Sequence, residues 1–505
     1  MARIDRGLAG RLAALVFMAG GLSPAAVKLP TLLANHMVLQ RGLPVHVWGK
    51  ADPGEAVTVS FRGETKTAAA NELGVFDLYL KPGEAGGPFE MRVKGTNEIV
   101  VRDILVGEVW VAAGQSNMEW PIRWAAEPEK ELAAARHPRL RLFRAMHRVS
   151  EYALEDLYGQ PWAECSPAVA ADFSAAGYHF GRNLLEKLDV PVGLIQMAWG
   201  GTPIDGWTSY EALTADAALM PALAEWARLM KDHPAALLRY HQEAKRWEAG
   251  AARAKAAGQA FREPAPVKPA GPQGPWKPGA MFNAMIAPAS RYPVRGAVWY
   301  QGESNTYFTR APLYGRMLRT MIEDWRRAWG LGDFPFLYVQ LAGYAADAEH
   351  DWPVVREGQR QALAVANTAM VPAVDLGEEG DIHPKNKREV GRRLALAARA
   401  RVYGESLVWS GPLFRRITRE GEALRVWFDQ VGGGLAARGG ALTGFEIAGE
   451  DGKWAPAAAR IDGATVLVSS RDVAAPHQVR YGWANYPSVN LYNAEGLPAA
   501  PFRSE

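Results

Sequence analysis

Between residues 104 and 403, short runs of apolar residues alternate with amphipathic helical segments. Strands that are apolar on both faces and separated by helices are typical of parallel sheets covered by helices on each side. This alternation therefore predicts an α/β domain built on a parallel sheet. The predicted strands are Ile104–Ala112, Val192–Ala198, Gly296–Tyr300, Pro335–Leu341 and Ala369–Leu376, and the predicted helices are Tyr178–Leu188, Leu313–Trp329, Trp352–Val365 and Lys387–Val402.

The flanking segments have a different pattern. Residues 27–103 and 404–505 contain short alternating runs separated by turn-forming residues, which predicts a small N-terminal β-sandwich and a C-terminal β-domain. Residues 211–280 interrupt the α/β pattern, because they are rich in helix-forming residues and end in a proline-rich stretch. We expect a helical hairpin closed by a stiff linker, inserted between the two parts of the α/β domain, 104–210 and 281–403.

The N-terminal residues are typical of a secretory signal. Arg3, Arg6 and Arg11 precede the apolar run Leu12–Leu22, and small residues follow it. This order of charge, apolar run and small residues predicts a signal peptide over residues 1–26, although an amphipathic N-terminal helix is the alternative. We therefore expect a secreted or periplasmic protein. No later apolar run reaches the roughly 20 residues of a membrane-spanning helix, so no membrane contact is expected in the mature form.

Charge and cysteine content exclude several classes of function. The net charge is only +3 and no long basic run is present, so we expect no nucleic-acid partner. Cys165 is the one cysteine of the sequence and has no basic neighbour, so we interpret it as a packing residue. The ten histidines lack the spacing of metal ligands, so we expect neither a metal nor another cofactor.

Two polar segments at strand ends contain the parts of a serine nucleophile and its base. Ligands of open parallel sheets bind outside the carboxyl ends of the strands. Ser116 follows the first predicted strand, and Asp381 and His383 follow the last one. A serine needs a base to lose its proton at neutral pH, and the base needs a carboxylate that holds its tautomer. Taken alone, such a serine is more often a helix cap, and such a histidine is more often structural.

Two further strand ends carry groups that could hold an oxyanion. Gly200 and Gly201 leave backbone N–H groups unshielded, and Gln301 or Asn305 could add a side-chain amide whose orientation Glu303 would fix. Each segment alone could be a tight turn. Because all four segments fall at strand ends of one domain, together they predict a serine hydrolase. The absence of Gly-x-Ser-x-Gly around the serine argues against the α/β-hydrolase type.

The sequence closely resembles the sialate O-acetylesterase-like group of SGNH hydrolases, which includes bacterial acetylxylan and xyloglucan esterases. The resemblance covers nearly the whole chain after residue 26 and implies a flavodoxin-like three-layer fold, a Ser-His-Asp triad and hydrolysis of acetyl esters on sugars. The matching motifs are Gly114-Gln115-Ser116-Asn117-Met118, Trp199-Gly200-Gly201-Thr202, Trp299-Tyr300-Gln301-Gly302-Glu303-Ser304-Asn305 and Asp381-Ile382-His383-Pro384.

The resemblance also implies roles for individual residues. Ser116 matches the nucleophile and His383 the base, and the oxyanion donors would be the N–H of Ser116, the N–H of Gly200 or Gly201, and the amide of Gln301. The wider SGNH pattern has its carboxylate three residues before the histidine, where this chain has Gly380. Asp381 is therefore assigned as the carboxylate of the triad. The alternatives are Glu379, Glu378, Asp375, or a Ser-His dyad assisted by a backbone carbonyl.

The expected substrate is an acetylated carbohydrate. Tryptophan rings stack on the apolar faces of sugars, so we predict that Trp120 and Trp199 bind substrate together with Glu303. Trp124 and Trp207 lie in the same loops. Hemicellulose and sialic acids both carry acetyl groups, and a basic pocket formed by Arg123 or Arg310 would favour the acidic sugar. Two alternative hypotheses for the function are a non-catalytic carbohydrate-binding protein and a lipase or thioesterase on the same fold.

Overall fold

The computed structural model describes residues 26–504. The predicted secretory signal, residues 1–26, lies outside this part of the chain except for Ala26. Over the described range, no helix combines the length and the apolar character that a membrane crossing requires.

The structure contains a central mixed sheet and several smaller antiparallel sheets. The strands, numbered in chain order, are β1 (Val38–Gln40), β2 (Val45–Lys50), β3 (Ala56–Phe61), β4 (Glu64–Ala69), β5 (Val75–Leu80), β6 (Gly86–Lys94), β7 (Glu98–Gly114), β8 (His137–Ala145), β9 (Gly159–Cys165), β10 (Val192–Ala198), β11 (Gly296–Tyr300), β12 (Phe336–Gln340), β13 (Thr368–Pro372), β14 (Leu413–Glu420), β15 (Ala423–Asp429), β16 (Leu435–Ala437), β17 (Phe445–Ala448), β18 (Trp454–Pro456), β19 (Ala458–Asp462), β20 (Thr465–Ser469), β21 (Gln478–Tyr481), β22 (Leu491–Asn493) and β23 (Phe502–Arg503).

The helices connect the strands of the central sheet or extend from it. Short 3₁₀ turns lie between them. The α-helices are α1 (Ser116–Glu119), α2 (Pro128–Ala134), α3 (Pro167–Ala171), α4 (Ala175–Leu188), α5 (Tyr210–Thr214), α6 (Met220–Ala256), α7 (Ala287–Ala289), α8 (Tyr314–Trp329), α9 (Trp352–Gln361) and α10 (Lys387–Arg401).

The central sheet has the strand order β13-β12-β11-β7-β10-β8-β9. Its neighbours are parallel except at one edge, where β9 runs antiparallel to β8. The five predicted strands all lie in this sheet, and the prediction of an α/β class is confirmed. The last two strands on the β9 side, β8 and β9, were not predicted from the sequence; charged Arg141 and Arg144 interrupt the apolar run of β8.

Helices cover both faces of the sheet. Trp110 of β7 packs edge-on against Phe180 of α4, with ring centroids 5.1 Å apart. On β11, Trp299 packs against Trp325 of α8 at 5.7 Å. The register pairs Trp299 with Ala113, three residues beyond Trp110, so the two tryptophans point to opposite faces. Helices α4 and α8 therefore lie on opposite sides of the sheet.

Strand β7 is 17 residues long and belongs to two regions of the structure. Its first half pairs antiparallel with β6, and its second half pairs parallel with β10 and β11. Strands β3, β4 and β1 complete the N-terminal part of this sheet, and β2 pairs with β5 separately. The boundary expected at residues 103 and 104 therefore falls inside one continuous strand.

The insertion differs from the expected helical hairpin. It contains one long helix, α6, which has 37 residues and continues through Pro234. A proline removes one backbone hydrogen bond, but the alanine and leucine residues that follow it are strong helix formers, and no glycine near it favours a reversal. The proline-rich segment then returns along the helix, where the indole N–H of Trp247 donates to the carbonyl of Glu263 at 2.7 Å. An extended segment thus occupies the place of the expected second helix.

The C-terminal region contains two four-stranded antiparallel sheets, β14-β15-β20-β19 and β18-β17-β21-β23. Arg356 of α9, which is fully buried, attaches this region to the central sheet. Its guanidinium donates to the carbonyls of Ala484 and Asn485 on one side and to those of Leu341 and Ala342 on the other. Buried hydrogen bonds of a charged group fix the two regions against each other.

Candidate active site

The nucleophile candidate follows a tight turn at the end of β7. Gly114 has a φ of 143°, and a Cβ atom at this position would lie 2.1 Å from the carbonyl oxygen of Tyr300. Only glycine therefore allows β7 and β11 to approach so closely here. The N–H of Gln115 donates to the same carbonyl at 3.0 Å, and Ser116 begins helix α1 immediately afterwards.

His383, in the loop between β13 and α10, meets Ser116 at the sheet edge. Its Nε2 lies 2.9 Å from the Oγ of Ser116, although the two residues are 267 positions apart in the sequence. The ring of Trp120 stacks on the imidazole, with centroids 4.5 Å apart and planes 18° from parallel. Serine hydroxyl and imidazole are thus within hydrogen-bonding distance, in the geometry that a nucleophile and its base require.

Asp381 is the carboxylate beside the other imidazole nitrogen. Its Oδ1 lies 3.5 Å from Nδ1 of His383 and also accepts the backbone N–H of His383 at 2.9 Å. The alternatives have other partners: Asp375 forms an ion pair with Arg393, and Glu378 accepts the backbone N–H of Lys385. The position expected from the wider pattern, Gly380, has open space around its Cα and no side chain to contribute.

Three contributions, two of one sign and one of the other, set the pKa of His383. Burial lowers the pKa of its imidazole below the usual 6.5, and the cation of Lys387 lowers it further. The carboxylate of Asp381 raises the pKa and so partly offsets both effects. The imidazole is therefore neutral, and able to accept a proton, at neutral pH.

A buried polar cluster lies beneath the serine turn. The side-chain amide of Asn117 donates to the carboxylate of Glu303 at 2.5 Å and to the carbonyl of Ile382 at 3.0 Å. The ammonium of Lys387 donates to the Asn117 carbonyl oxygen at 2.5 Å. Glu303 was expected to bind substrate, but it is only 4% exposed and binds within the protein instead. Asn117 and Lys387 lie next to or within the matching motifs, yet sequence reasoning gave them no role.

One candidate oxyanion donor is occupied by a carboxylate. The N–H of Gly200 donates to Oε2 of Glu119 at 2.7 Å. The other carboxylate oxygen of Glu119 lies 2.8 Å from Nε2 of His147. Gly201 adopts a φ of 68°, in the left-handed region that favours glycine, and its Cα faces open space. Glu119 is thus a second carboxylate at the site, and its place directly after the serine motif was its only signal in the sequence.

The two amide side chains expected to contact the oxyanion point elsewhere. Both N–H groups of Gln301 are used, one by the Thr202 carbonyl at 3.2 Å and one by Oδ1 of Asn305 at 2.7 Å. Asn305 also accepts the backbone N–H of Ile204 at 3.0 Å. Both side chains are fully buried, and the hydrogen bonds described for them join them to residues other than Ser116. They hold the loops after β10 and β11 together, which a sequence pattern cannot distinguish from oxyanion binding.

Ser116 and His383 open into a cleft of about 730 Å³. Trp120 and Trp124 form one wall, and Trp124 is half exposed. Trp207 is fully buried among core side chains, and Trp199 is stacked on His147 with ring centroids 4.4 Å apart. The other residues that line the cleft are Glu119, Pro121, Arg123, Arg144, Ala145, Met146, His147, Gln160, Asp172, Gln196 and Ala198.

Neither candidate for a basic pocket offers a free cation. Arg310 is buried and forms an ion pair with Asp205 at 2.9 Å, and Arg123 forms one with Asp172. A separate group of possible metal ligands, His36, Asp103 and Glu164, lies away from the cleft. The guanidinium of Arg141 already neutralises both of its carboxylates, so this group is an ion-pair cluster.

Comparisons with known proteins identify the family of this chain. Residues 106–250 and 272–400 match the family described as carbohydrate esterase, sialic acid-specific acetylesterase. The sialate O-acetylesterase of Rattus norvegicus is 30% identical and that of Homo sapiens 29%, over 94% and 98% of this chain and 94% and 95% of theirs. A crystal structure of a carbohydrate acetylesterase from Xanthomonas citri is 38% identical, with a TM-score of 0.80 over 95% of this chain and 100% of that one. The chain therefore belongs to the sialic acid-specific acetylesterase family of carbohydrate esterases, and it is a carboxylic ester hydrolase.

Proposed function

We propose that this protein is a serine esterase that removes acetyl groups from carbohydrate, with Ser116 as nucleophile and His383 as base. The observation that carries the proposal is the 2.9 Å contact between Ser116 Oγ and His383 Nε2 inside an open cleft. A serine nucleophile must be activated by a base and accessible to substrate, and this contact in an open cleft meets both requirements.

The reaction proceeds through an acetyl-enzyme. His383 takes the proton of Ser116 while Oγ forms a bond to the acetyl carbonyl carbon, and a tetrahedral oxyanion results. The bond from this carbon to the sugar oxygen then breaks, and His383 gives the proton to that oxygen. Water, deprotonated by His383, attacks the acetyl-enzyme in the same manner and releases acetate. The carboxylate of Asp381 stabilises the imidazolium that forms in each half of the reaction.

Backbone groups hold the oxyanion. The N–H groups of Ser116 and of Gly200 or Gly201 are the donors, and each is worth about 10²–10³ in turnover in a serine hydrolase. In the resting structure the carboxylate of Glu119 accepts the Gly200 N–H and also contacts His147. The Gly200 N–H becomes available to an oxyanion only when this carboxylate turns away. Gln301 takes no part, because both of its N–H groups are used elsewhere.

The substrate is an acetylated sugar bound against the tryptophan wall. Trp120 and Trp124 offer ring surface, and the exposed Gln160 adds a polar side chain that suits sugar hydroxyls. Sialate O-acetylesterases are among the similar proteins, so acetylated sialic acids are one candidate class. Acetylated hemicellulose oligosaccharides are the other, and the paired states of Arg123 and Arg310 favour this neutral class.

The first test is hydrolysis of p-nitrophenyl acetate by Ser116→Ala. Turnover should fall by several orders of magnitude, because the nucleophile is lost. Ser60→Ala, in strand β3 of the N-terminal sheet, is the control and should keep full activity. Near-normal rates for Ser116→Ala would refute the mechanism. Acetate release from acetylated xylo-oligosaccharides and from acetylated sialic acid then identifies the sugar, and an octanoyl ester tests the lipase alternative.

We also propose that the protein is exported through the signal over residues 1–26. The basic start, the apolar run and the small residues that follow support this proposal. Expression of the full chain and of a chain lacking residues 2–26, followed by cell fractionation, tests it. Retention of both forms in the cytoplasm would refute export.

A further inference from the structure

Lys387 is a fully buried lysine directly below the serine turn. It is the first residue of α10, and its ammonium reaches three groups around the site. It donates to Asn117, and it lies 5.9 Å from the ring centre of Trp120 and 5.5 Å from that of Tyr300. Burying a charged lysine costs free energy of folding unless the ammonium is paired, so its burial beside the active site points to a role there.

The partner of Lys387 joins the two halves of the catalytic pair. Asn117 follows Ser116 in the chain, and its amide donates to the carbonyl of Ile382, the residue before His383. Asn117 therefore connects the nucleophile loop to the histidine loop by a direct hydrogen bond. Its carbonyl oxygen faces the ammonium of Lys387, and this contact fixes which way the amide group points.

Lys387 also acts on His383 through Trp120. Trp120 stacks on the imidazole, and the ammonium lies near the ring of the same tryptophan. A cation near an aromatic ring is attracted to it, so the ammonium helps to hold the ring in its stacked place. The carboxylate of Glu303 completes the cluster through Asn117, so the buried cation has a buried anion near it.

We propose that Lys387 is a positioning residue that holds Ser116 and His383 at reacting distance through Asn117 and Trp120. This inference rests on the proposed function, because it assumes that these two residues carry the reaction. Without the ammonium, the Asn117 amide loses its orientation and the stacked tryptophan loses its support. A displacement of about 1 Å between reacting groups can cost on the order of 10²-fold in rate.

Electrostatics gives a signature that simple packing would not produce. The charged groups that act on His383 are Asp381 in its own loop and Lys387 of α10, while Ser116 and Trp120 are neutral. Burial lowers the pKa of Lys387 to about 7, and His383 titrates below 6.5, so Lys387 is cationic while His383 takes up its proton. Loss of this cation should raise the pKa of His383 and move the acid limb of kcat/KM to higher pH.

The test compares Lys387→Met with Lys385→Met. Methionine keeps the length of the side chain without its charge, and Lys385 is the exposed lysine two residues earlier. With p-nitrophenyl acetate, Lys387→Met should lose on the order of 10²-fold in kcat with little change in KM, and its acid limb should move to higher pH. Lys385→Met should match the wild type in both measurements.

A second variant covers a failure to fold, since Lys387→Met leaves Glu303 buried beside no cation. The double variant Lys387→Met with Glu303→Gln removes both charges, and the same kinetic results are expected of it. A cooperatively folded variant with kcat within about threefold of the wild type would overturn the proposal, and so would a fall in kcat with an unmoved acid limb. Full activity of Ser116→Ala would instead refute the proposed function, so the two failures are distinguishable.

Discussion

The role of Asp381 can be tested by replacing its charge and leaving its shape. Asparagine at this position can still accept the backbone N–H of His383, which Asp381 accepts at 2.9 Å. The substitution Asp381→Asn therefore keeps the loop and removes the negative charge 3.5 Å from Nδ1. Because the imidazolium exists only during turnover, the loss should appear in kcat and not in KM.

The size of the effect follows from the distance and the exposure. Two unit charges 3.5 Å apart attract by about 1.2 kcal/mol at a water-like dielectric constant of about 80, and by about 4.7 kcal/mol at about 20. These energies correspond to about 8-fold and about 3,000-fold in rate. Since the side chains of His383 and Asp381 are 25% and 37% exposed, solvent screens the pair, and we expect a loss of about 10–10²-fold. This loss is well below the about 10⁴-fold cost of neutralising a buried triad aspartate.

The assay is steady-state hydrolysis of p-nitrophenyl acetate across pH, with Glu379→Gln as control. Glu379 is an exposed carboxylate in the same loop, and its neutralisation should leave kcat unchanged. Asp381→Ala should be slower than Asp381→Asn, because it also loses the loop hydrogen bond. A rate for Asp381→Asn within threefold of the wild type would exclude this carboxylate from the triad. A loss of 10⁴-fold would refute the screening argument.

Three further outcomes are expected. The acid limb of wild-type kcat/KM should lie below pH 6.5, because burial lowers the pKa of His383 below 6.5. The neutral imidazole that acts as base is lost as the pH falls through this pKa. An acid limb above pH 7 would contradict this prediction. Gln301→Ala should lower the midpoint of thermal unfolding, since an orphaned buried polar group costs about 1–3 kcal/mol, and kcat of the folded variant should stay within tenfold. The variant Glu119→Ala frees the Gly200 N–H, so the variant should turn over p-nitrophenyl acetate at least as fast as the wild type. A 10²-fold loss of turnover would instead show that the Glu119 carboxylate takes a direct part in the reaction.

Regular elements were predictable where the pattern is strong. The strands β10 and β11 begin and end at the predicted residues, because mainly apolar runs bounded by turn residues leave little choice of where a strand begins and ends. Strand β9 forms one edge of the sheet and β8 lies next to it; both contain charged or polar side chains, so the continuous apolar signal of the inner strands is absent from them. The single long helix α6 shows that helix-forming composition does not reveal whether a chain reverses.

The meeting of Ser116 and His383 was predictable, because both follow parallel strands, whose carboxyl ends come to one edge of the sheet. The oxyanion assignment of Gln301 and the substrate assignment of Glu303 did not follow, because an amide or a carboxylate can serve a ligand or the protein with equal chemistry. Only packing decides which partner is within reach.

The sequence by itself therefore determined the class of fold, the family, and the placement of Ser116 and His383 at strand ends of one domain, because these depend on periodicity and on motifs in a fixed order. The tertiary structure decided which polar groups face the cleft and which face inward. It turned Asn117, Glu303 and Lys387 into a buried cluster and left Glu119 beside the serine. The physical reason is that burial and hydrogen-bond partners arise from residues far apart in the chain, as in the 2.9 Å contact across 267 positions.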